Sequence, residues 1–98
     1  MFLALAAQLV FATPPGLGSL REQLRRASLS IPLNIAEGYG KRGTKDRARF
    51  YDIARGSAHE CGAILDAAKV LSGIKESDYR EAKVLLHRLV SMLVKLAN

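Results

Sequence analysis

From Phe50 to Leu71 the chain keeps one spacing. Phe50, Ala54, Ser57, Cys61, Ile64, Ala68 and Leu71 follow one another at intervals of 4, 3, 4, 3, 4 and 3. Three heptads of that pattern lay a single seam along an α-helix, and such a seam packs at a shallow angle against neighbouring helices. A half-buried strand would alternate with period two, and no such run occurs in the sequence. Thr44 precedes the pattern and Ser72-Gly73 follows it, which predicts a helix over about 45–72, roughly 42 Å long. A rod of that length needs helical partners, and the remaining sequence supplies three candidates.

The first candidate covers 19–38. Ser19 is placed to cap it, with Glu22 in the capping-box position, and Leu20, Leu24, Ala27, Ile31 and Asn34 form one stripe. Pro32 lies within that stripe, where it removes one backbone donor and strains the carbonyl of Ser28, so a kink is expected there. Gly38 and Gly40 offer the exit. The second candidate covers 78–96 after a cap at Ser77; its stripe is Ala82, Leu86, Leu89, Leu93 and Leu96, widened by Val90 and Val94. The third is the opening segment, apolar from Met1 to Ala12 except for Gln8 and closed by Thr13-Pro14-Pro15-Gly16-Leu17-Gly18. Val10-Phe11-Ala12 has the small-residue look of a signal cleavage site, which would leave a secreted chain starting at Thr13. The positively charged stretch that a signal needs is missing, and the segment is too short for a bilayer, which takes about 20 apolar residues. A short buried helix over 2–12 in a cytoplasmic protein is the expectation, with no membrane contact.

These segments predict an all-α fold: one domain over 1–98, an antiparallel up-and-down four-helix bundle. A first helix of roughly 16 Å is too short to cover its neighbours from end to end. Either residues before Met1 or another subunit is expected to cover the rest.

The composition, 49% hydrophobic and 24% charged over 98 residues, suits a globular domain and not a disordered one. The net charge of +6 is unevenly placed. Residues 1–20 carry no ionisable side chain, residues 21–55 carry nine basic and four acidic groups, and residues 56–98 carry six and five. Net +5 thus belongs to residues 21–55 and points to an anionic partner. The single cysteine rules out an internal disulfide framework and a zinc site built on paired cysteines.

Within the basic region the string Ser30-Ile31-Pro32-Leu33-Asn34-Ile35-Ala36-Glu37-Gly38 is distinctive. With Gln23-Leu24-Arg25-Arg26-Ala27 before it, and Arg49-Phe50 and Ala54-Arg55-Gly56-Ser57-Ala58-His59-Glu60 after it, the chain resembles the 23S rRNA intervening-sequence protein family of small bacterial four-helix bundles. The resemblance runs from about Leu17 to Leu96. It departs at the N-terminus, where family members have a longer, charged first helix. The resemblance implies a homo-oligomer, a pentameric ring, and a fold similar to the accessory protein of diversity-generating retroelements, in which a basic ring is implicated in binding nucleic acid. Fold carries over more safely than function.

Two groups of residues stand out as candidates. The basic residues Arg25, Arg26, Lys41, Arg42, Lys45 and Arg49 are placed to hold the phosphates of RNA or DNA, a mode that needs no sequence reading and falls with salt. The same residues also suit a solvated basic face. In an antiparallel hairpin, 41–49 lies at the far end of the preceding helix from Arg25 and Arg26, so one chain need not bring the two groups together. Tyr39 and Tyr51 are the only nearby tyrosines, a sparse supply of stacking partners. The second group, Asn34, Glu37, Ser57 and Glu60, with the small Gly56, is expected to form a buried polar network. It would join Asn34 or Glu37 to Ser57 and to the carbonyl freed by Pro32, and so fix helix register.

His59-Glu60-Cys61 has the wrong spacing for ligands on one helical face, and Cys61 falls on the seam as a small hydrophobe. No metal, cofactor or catalytic residue is expected. The functional expectation is a non-enzymatic oligomeric bundle that binds nucleic-acid backbone. The alternative is a structural or adaptor protein whose apolar faces serve self-assembly and docking to another protein.

Overall fold

The computed structural model describes residues 18–72 and 74–98; the helix expected over 2–12 lies outside them. The described residues form three α-helices and no strand: α1 (Gly18–Tyr39), α2 (Thr44–Ser72) and α3 (Glu76–Ala97). The fold is all-helical as expected, but the described residues supply three helices and not the four of the expected bundle. The 29 residues of α2 make a rod of about 44 Å, which is the 44 Å long axis of the molecule.

Cross-helix contacts fix the direction of each helix. Arg26 of α1 meets Glu60 of α2, Ser30 meets Ser57, and Gly38 lies against Tyr51. As numbers rise on one helix they fall on the other, so the pair is antiparallel. On the other flank Tyr79 and Lys83 of α3 bond Asp66, and Leu86 reaches Gly62. The path is up, down, up, with α2 between α1 and α3.

That central position explains how α2 departs from its expected seam. Ala54, Cys61, Ile64 and Ala68 are buried as the spacing predicts. Tyr51, Ala58 and Leu65 are buried as well, whereas Leu71 is exposed. A helix clasped from two sides carries two seams side by side, and a single 4-3 stripe captures one of them. Leu24, Ala27 and Ile31 of α1 and Ala82 and Leu86 of α3 converge on Ala58, Cys61, Ile64 and Leu65 to form the main core. A second cluster of Tyr51, Ala54 and Leu93 fills the other end. Burial pushes the Cys61 thiol up to about 12, so it stays protonated as part of the core.

The helix ends differ from expectation in three places. Ser19 lies inside the first turn of α1, where its hydroxyl accepts the Gln23 amide at 3.3 Å, and Glu22 pairs with Arg25, so no capping box forms. Helix α3 starts at Glu76 instead of after a Ser77 cap; Lys75 stands at its N-cap without a side-chain bond. Glu76 holds that start through Lys69 and Arg80, and Glu76 and Asp78 put negative charge in the first turn, the favourable end of the helix dipole. Gly38 is not an exit. It is buried within α1 beneath the Tyr51 ring, and the turn is closed by Gly40 N–H to Ala36 O and Lys41 N–H to Gly38 O. Pro32 lies inside α1 without ending it.

Candidate nucleic-acid interface

The turn at 40–43 brings the C-terminal end of α1 beside the N-terminal end of α2. Four of the six basic candidates lie here. Phe50, half-buried in the second turn of α2, organises two of them: Lys41 Nζ is 5.2 Å and Arg49 Cζ 5.0 Å from the centre of its ring. A cation over an aromatic face is attracted by the ring's quadrupole, worth about 0.5–1 kcal/mol at an exposed site. Phe50, expected as part of the core seam, serves here as a platform for charge. Arg47 braces the turn by donating from Nε to the Lys41 carbonyl at 2.8 Å.

The carboxylates at this end are few. Glu37 lies 3.7 Å from Lys41, and Asp46 stands in the first turn of α2. Arg42 and Lys45 are exposed and, among the described residues, make no ion pair. Tyr39, the last residue of α1, has 83% of its surface exposed. Tyr51, the other tyrosine of this region, is buried. Among the described residues the tip therefore presents five basic side chains against two acidic ones, with one open aromatic ring.

Arg25 and Arg26 do not join it. Arg26 is level with Glu60, about 22 Å along α2 from Lys45 at 1.5 Å per residue. Both arginines have carboxylate partners: Arg25 grips Glu22 on its own helix with Nε at 3.1 Å, and Arg26 reaches Glu60 at 3.9 Å. The Arg25 guanidinium bonded to Glu22 holds that carboxyl below its usual range.

The polar group between α1 and α2 is smaller than expected. Ser30 and Ser57 share a hydrogen bond of 2.9 Å between helices, and Asn34 Nδ2 donates to the Ser30 hydroxyl at 3.0 Å and to the Ser30 carbonyl at 2.8 Å. Asn34 and Ser57 are thus linked through Ser30, a residue that sequence reasoning missed although it stands one turn before Asn34. The carbonyl that Asn34 reaches is that of Ser30, not the one of Ser28 below Pro32. Ser30, Asn34 and Ser57 are half-buried, not buried as expected, and Glu37 and Glu60 are exposed and pair outward with Lys41 and Arg26, outside the network. Gly56, expected to ease close approach, is exposed with open space around its α-carbon.

A shallow groove of about 380 Å³ between α2 and α3 brings His59 and His87 to one surface with Asp66 and Lys83. The spacing could not show this, because the two histidines come from different helices. Tyr79 Oη and Lys83 Nζ donate to Asp66 and hold its carboxyl below the usual range. Among the described residues no three His, Cys, Asp or Glu side chains converge to hold a metal ion. No described helix is long and apolar enough to cross a membrane.

Among curated proteins none matches the chain. The family model for the 23S rRNA-intervening sequence protein matches residues 12–95, most of the chain, with α1 and α2 whole and α3 but for its last two residues, and the chain belongs to that family.

Proposed function

We propose that this protein is a non-enzymatic, oligomeric, cytoplasmic helical bundle that holds nucleic-acid backbone at the α1–α2 tip. The observation that carries the reading is the pair Arg42 and Lys45, exposed and without carboxylate partners among the described residues, beside Lys41 and Arg49 held on the Phe50 ring. Cations without an internal partner exchange only water and counterions for phosphate, and the released counterions drive binding. Arg25 and Arg26, each already paired, contribute less. Leu85, Leu89, Met92 and Leu96 form a 4-3-4 stripe on α3 that the three described helices leave half-buried or exposed, and a fourth apolar helix suits it.

Fluorescence anisotropy with a labelled mixed-sequence RNA, measured from about 50 to 200 mM salt, tests the reading. Affinity falls steeply with salt, and replacing both Arg42 and Lys45 with alanine lowers the slope of log K against log salt by about 2. Arg25→Ala leaves it nearly unchanged. An oligomer that binds neither RNA nor DNA at about 50 mM salt ends the proposal.

The alternative is self-assembly and protein docking alone, and one observation supports the self-assembly that both readings share. Leu29 and Leu33 on α1 and Ile53 on α2 are exposed. The Ser30–Ser57 bond sets Leu33 and Ile53 at about the same level of the antiparallel pair. An apolar patch so placed suits a contact between copies, including the pentameric ring implied by the family.

A further inference from the structure

We infer that the tip selects single-stranded over double-stranded nucleic acid, with Tyr39 as the base-stacking platform; this rests on the nucleic-acid reading above. A tyrosine ring left 83% exposed at a helix end buries almost none of its apolar surface, so core packing does not account for it. The hydroxyl of Tyr39 takes part in no hydrogen bond among the described residues, in contrast to that of Tyr79, which donates to Asp66. Meanwhile Tyr51 is buried, and the Phe50 ring is occupied by Lys41 and Arg49. Among the described residues Tyr39 is thus the one aromatic face of the tip open to a ligand.

Its neighbours supply the other half of a single-strand site. Lys41 and Arg42 follow within three residues, and Lys45 stands in the first turn of α2. The turn between them is braced by the Arg47–Lys41 bond and by the Lys41 N–H to Gly38 O bond. Single-strand binding combines cations that track the backbone with aromatic rings on which bases stack. A base paired within a duplex offers no free face to such a ring, whereas an unpaired base does. The phosphates of a duplex still meet Arg42 and Lys45, so duplex binding persists at the strength that charge alone gives.

The chain contains no tryptophan, which allows a direct readout. In the full chain, Tyr39→Trp places a single indole at the tip, and Val84→Trp places one at an exposed position on α3 as the control. The probes are a mixed-sequence RNA of about 20 nucleotides, long enough to cover a single-strand site, the same strand in DNA, and each annealed to its complement. The single strands bind more tightly than the duplexes. They quench the indole of the Tyr39→Trp chain but not that of the Val84→Trp chain. Tyr39→Ala weakens single-strand binding about 5-fold or more, the effect of losing one base stack, and changes duplex binding less than about twofold. If Tyr39→Ala leaves single-strand affinity unchanged, or the Tyr39→Trp indole is not quenched on saturation, this inference falls while the basic-tip reading stands. If no strand of either kind binds at about 50 mM salt, both fall.

Discussion

Gly38 and Gly56 both lie inside helices, and at the level of single residues they have opposite meanings. A β-carbon at Gly38 would lie 2.7 Å from Cε1 and 3.0 Å from Cδ1 of Tyr51, and 3.3 Å from the Arg47 carbonyl. The Tyr51 ring is buried with Ala54 and Leu93, so any shift that makes room disturbs that cluster. Gly38→Ala therefore destabilises the fold by about 1–3 kcal/mol from overpacking, beyond the gain of about 1 kcal/mol in helix propensity. At Gly56 nothing lies within 4 Å of the added carbon, so Gly56→Ala stabilises by about 0.5–1 kcal/mol. Urea midpoints of the two variants move in opposite directions; a Gly38→Ala protein as stable as the parent contradicts the packing described here. The sequence showed the glycines but could not show their neighbours. Gly38 reads as a helix exit because two residues later Gly40 does end the helix, and only the position of Tyr51 on the partner reveals why residue 38 has no side chain. Asn34 and Ser57 were legible because each polar residue falls on or beside an apolar stripe. Ser30 was not, because it falls off the α1 stripe and is drawn in by the serine opposite.

At the level of elements, the 4-3 spacing was the legible part. With the punctuation at Ser19, Gly38, Thr44, Ser72-Gly73 and Ser77 it located all three described helices to within two residues at each end. It missed the second seam of α2, since a stripe of one period does not say how many neighbours a helix has. It also missed the ionic clasp that joins the C-terminal half of α2 to α3. There Asp66 accepts from Tyr79 and Lys83, and Lys69 meets Glu76. The Tyr79 and Lys83 donors lower the Asp66 carboxyl, and the Lys69 ammonium lowers that of Glu76. Because both acids ionise at lower pH in the folded chain than in the unfolded one, the unfolded state binds more protons as pH falls, and acid favours unfolding. The clasp is at full strength above the unfolded carboxyl values, about pH 4. It is lost as pH drops through the folded values below that. Thermal unfolding followed by circular dichroism reads this directly. The Asp66→Asn, Glu76→Gln double variant melts below the parent at about pH 7, and the gap closes below about pH 4. A gap that persists unchanged at about pH 2 contradicts the assignment. These groups are largely exposed, so the gap is small, as it is for surface pairs in general.

At the level of the whole molecule, the position of the charge matters more than its amount. Residues 21–55 hold net +5, but the structure divides it between arginines already paired along α1 and a tip whose cations are largely open to solvent. One tip offers few phosphate contacts, and binding by so few is weak at physiological salt. The proposed ring changes that arithmetic, because tips repeated around an axis engage one strand together and each bound tip raises the effective concentration of the next. Assembly and binding then respond to salt in opposite ways. The patch of Leu29, Leu33 and Ile53 is apolar, so its burial is indifferent to ionic screening or strengthened by salting-out anions, whereas tip binding collapses with salt. Light scattering coupled to gel filtration tests the assembly. The parent elutes at a multiple of the 10.7 kDa chain mass at both about 0.1 and 1 M salt. Leu33→Glu, a change at a position already 57% exposed, keeps the helical signal yet elutes as a single chain, and its RNA affinity at about 150 mM salt falls with it. Val84→Glu, at an exposed position of α3, keeps both. A parent protein with the mass of one chain at micromolar concentration removes the ring from the mechanism and leaves the tip to bind alone.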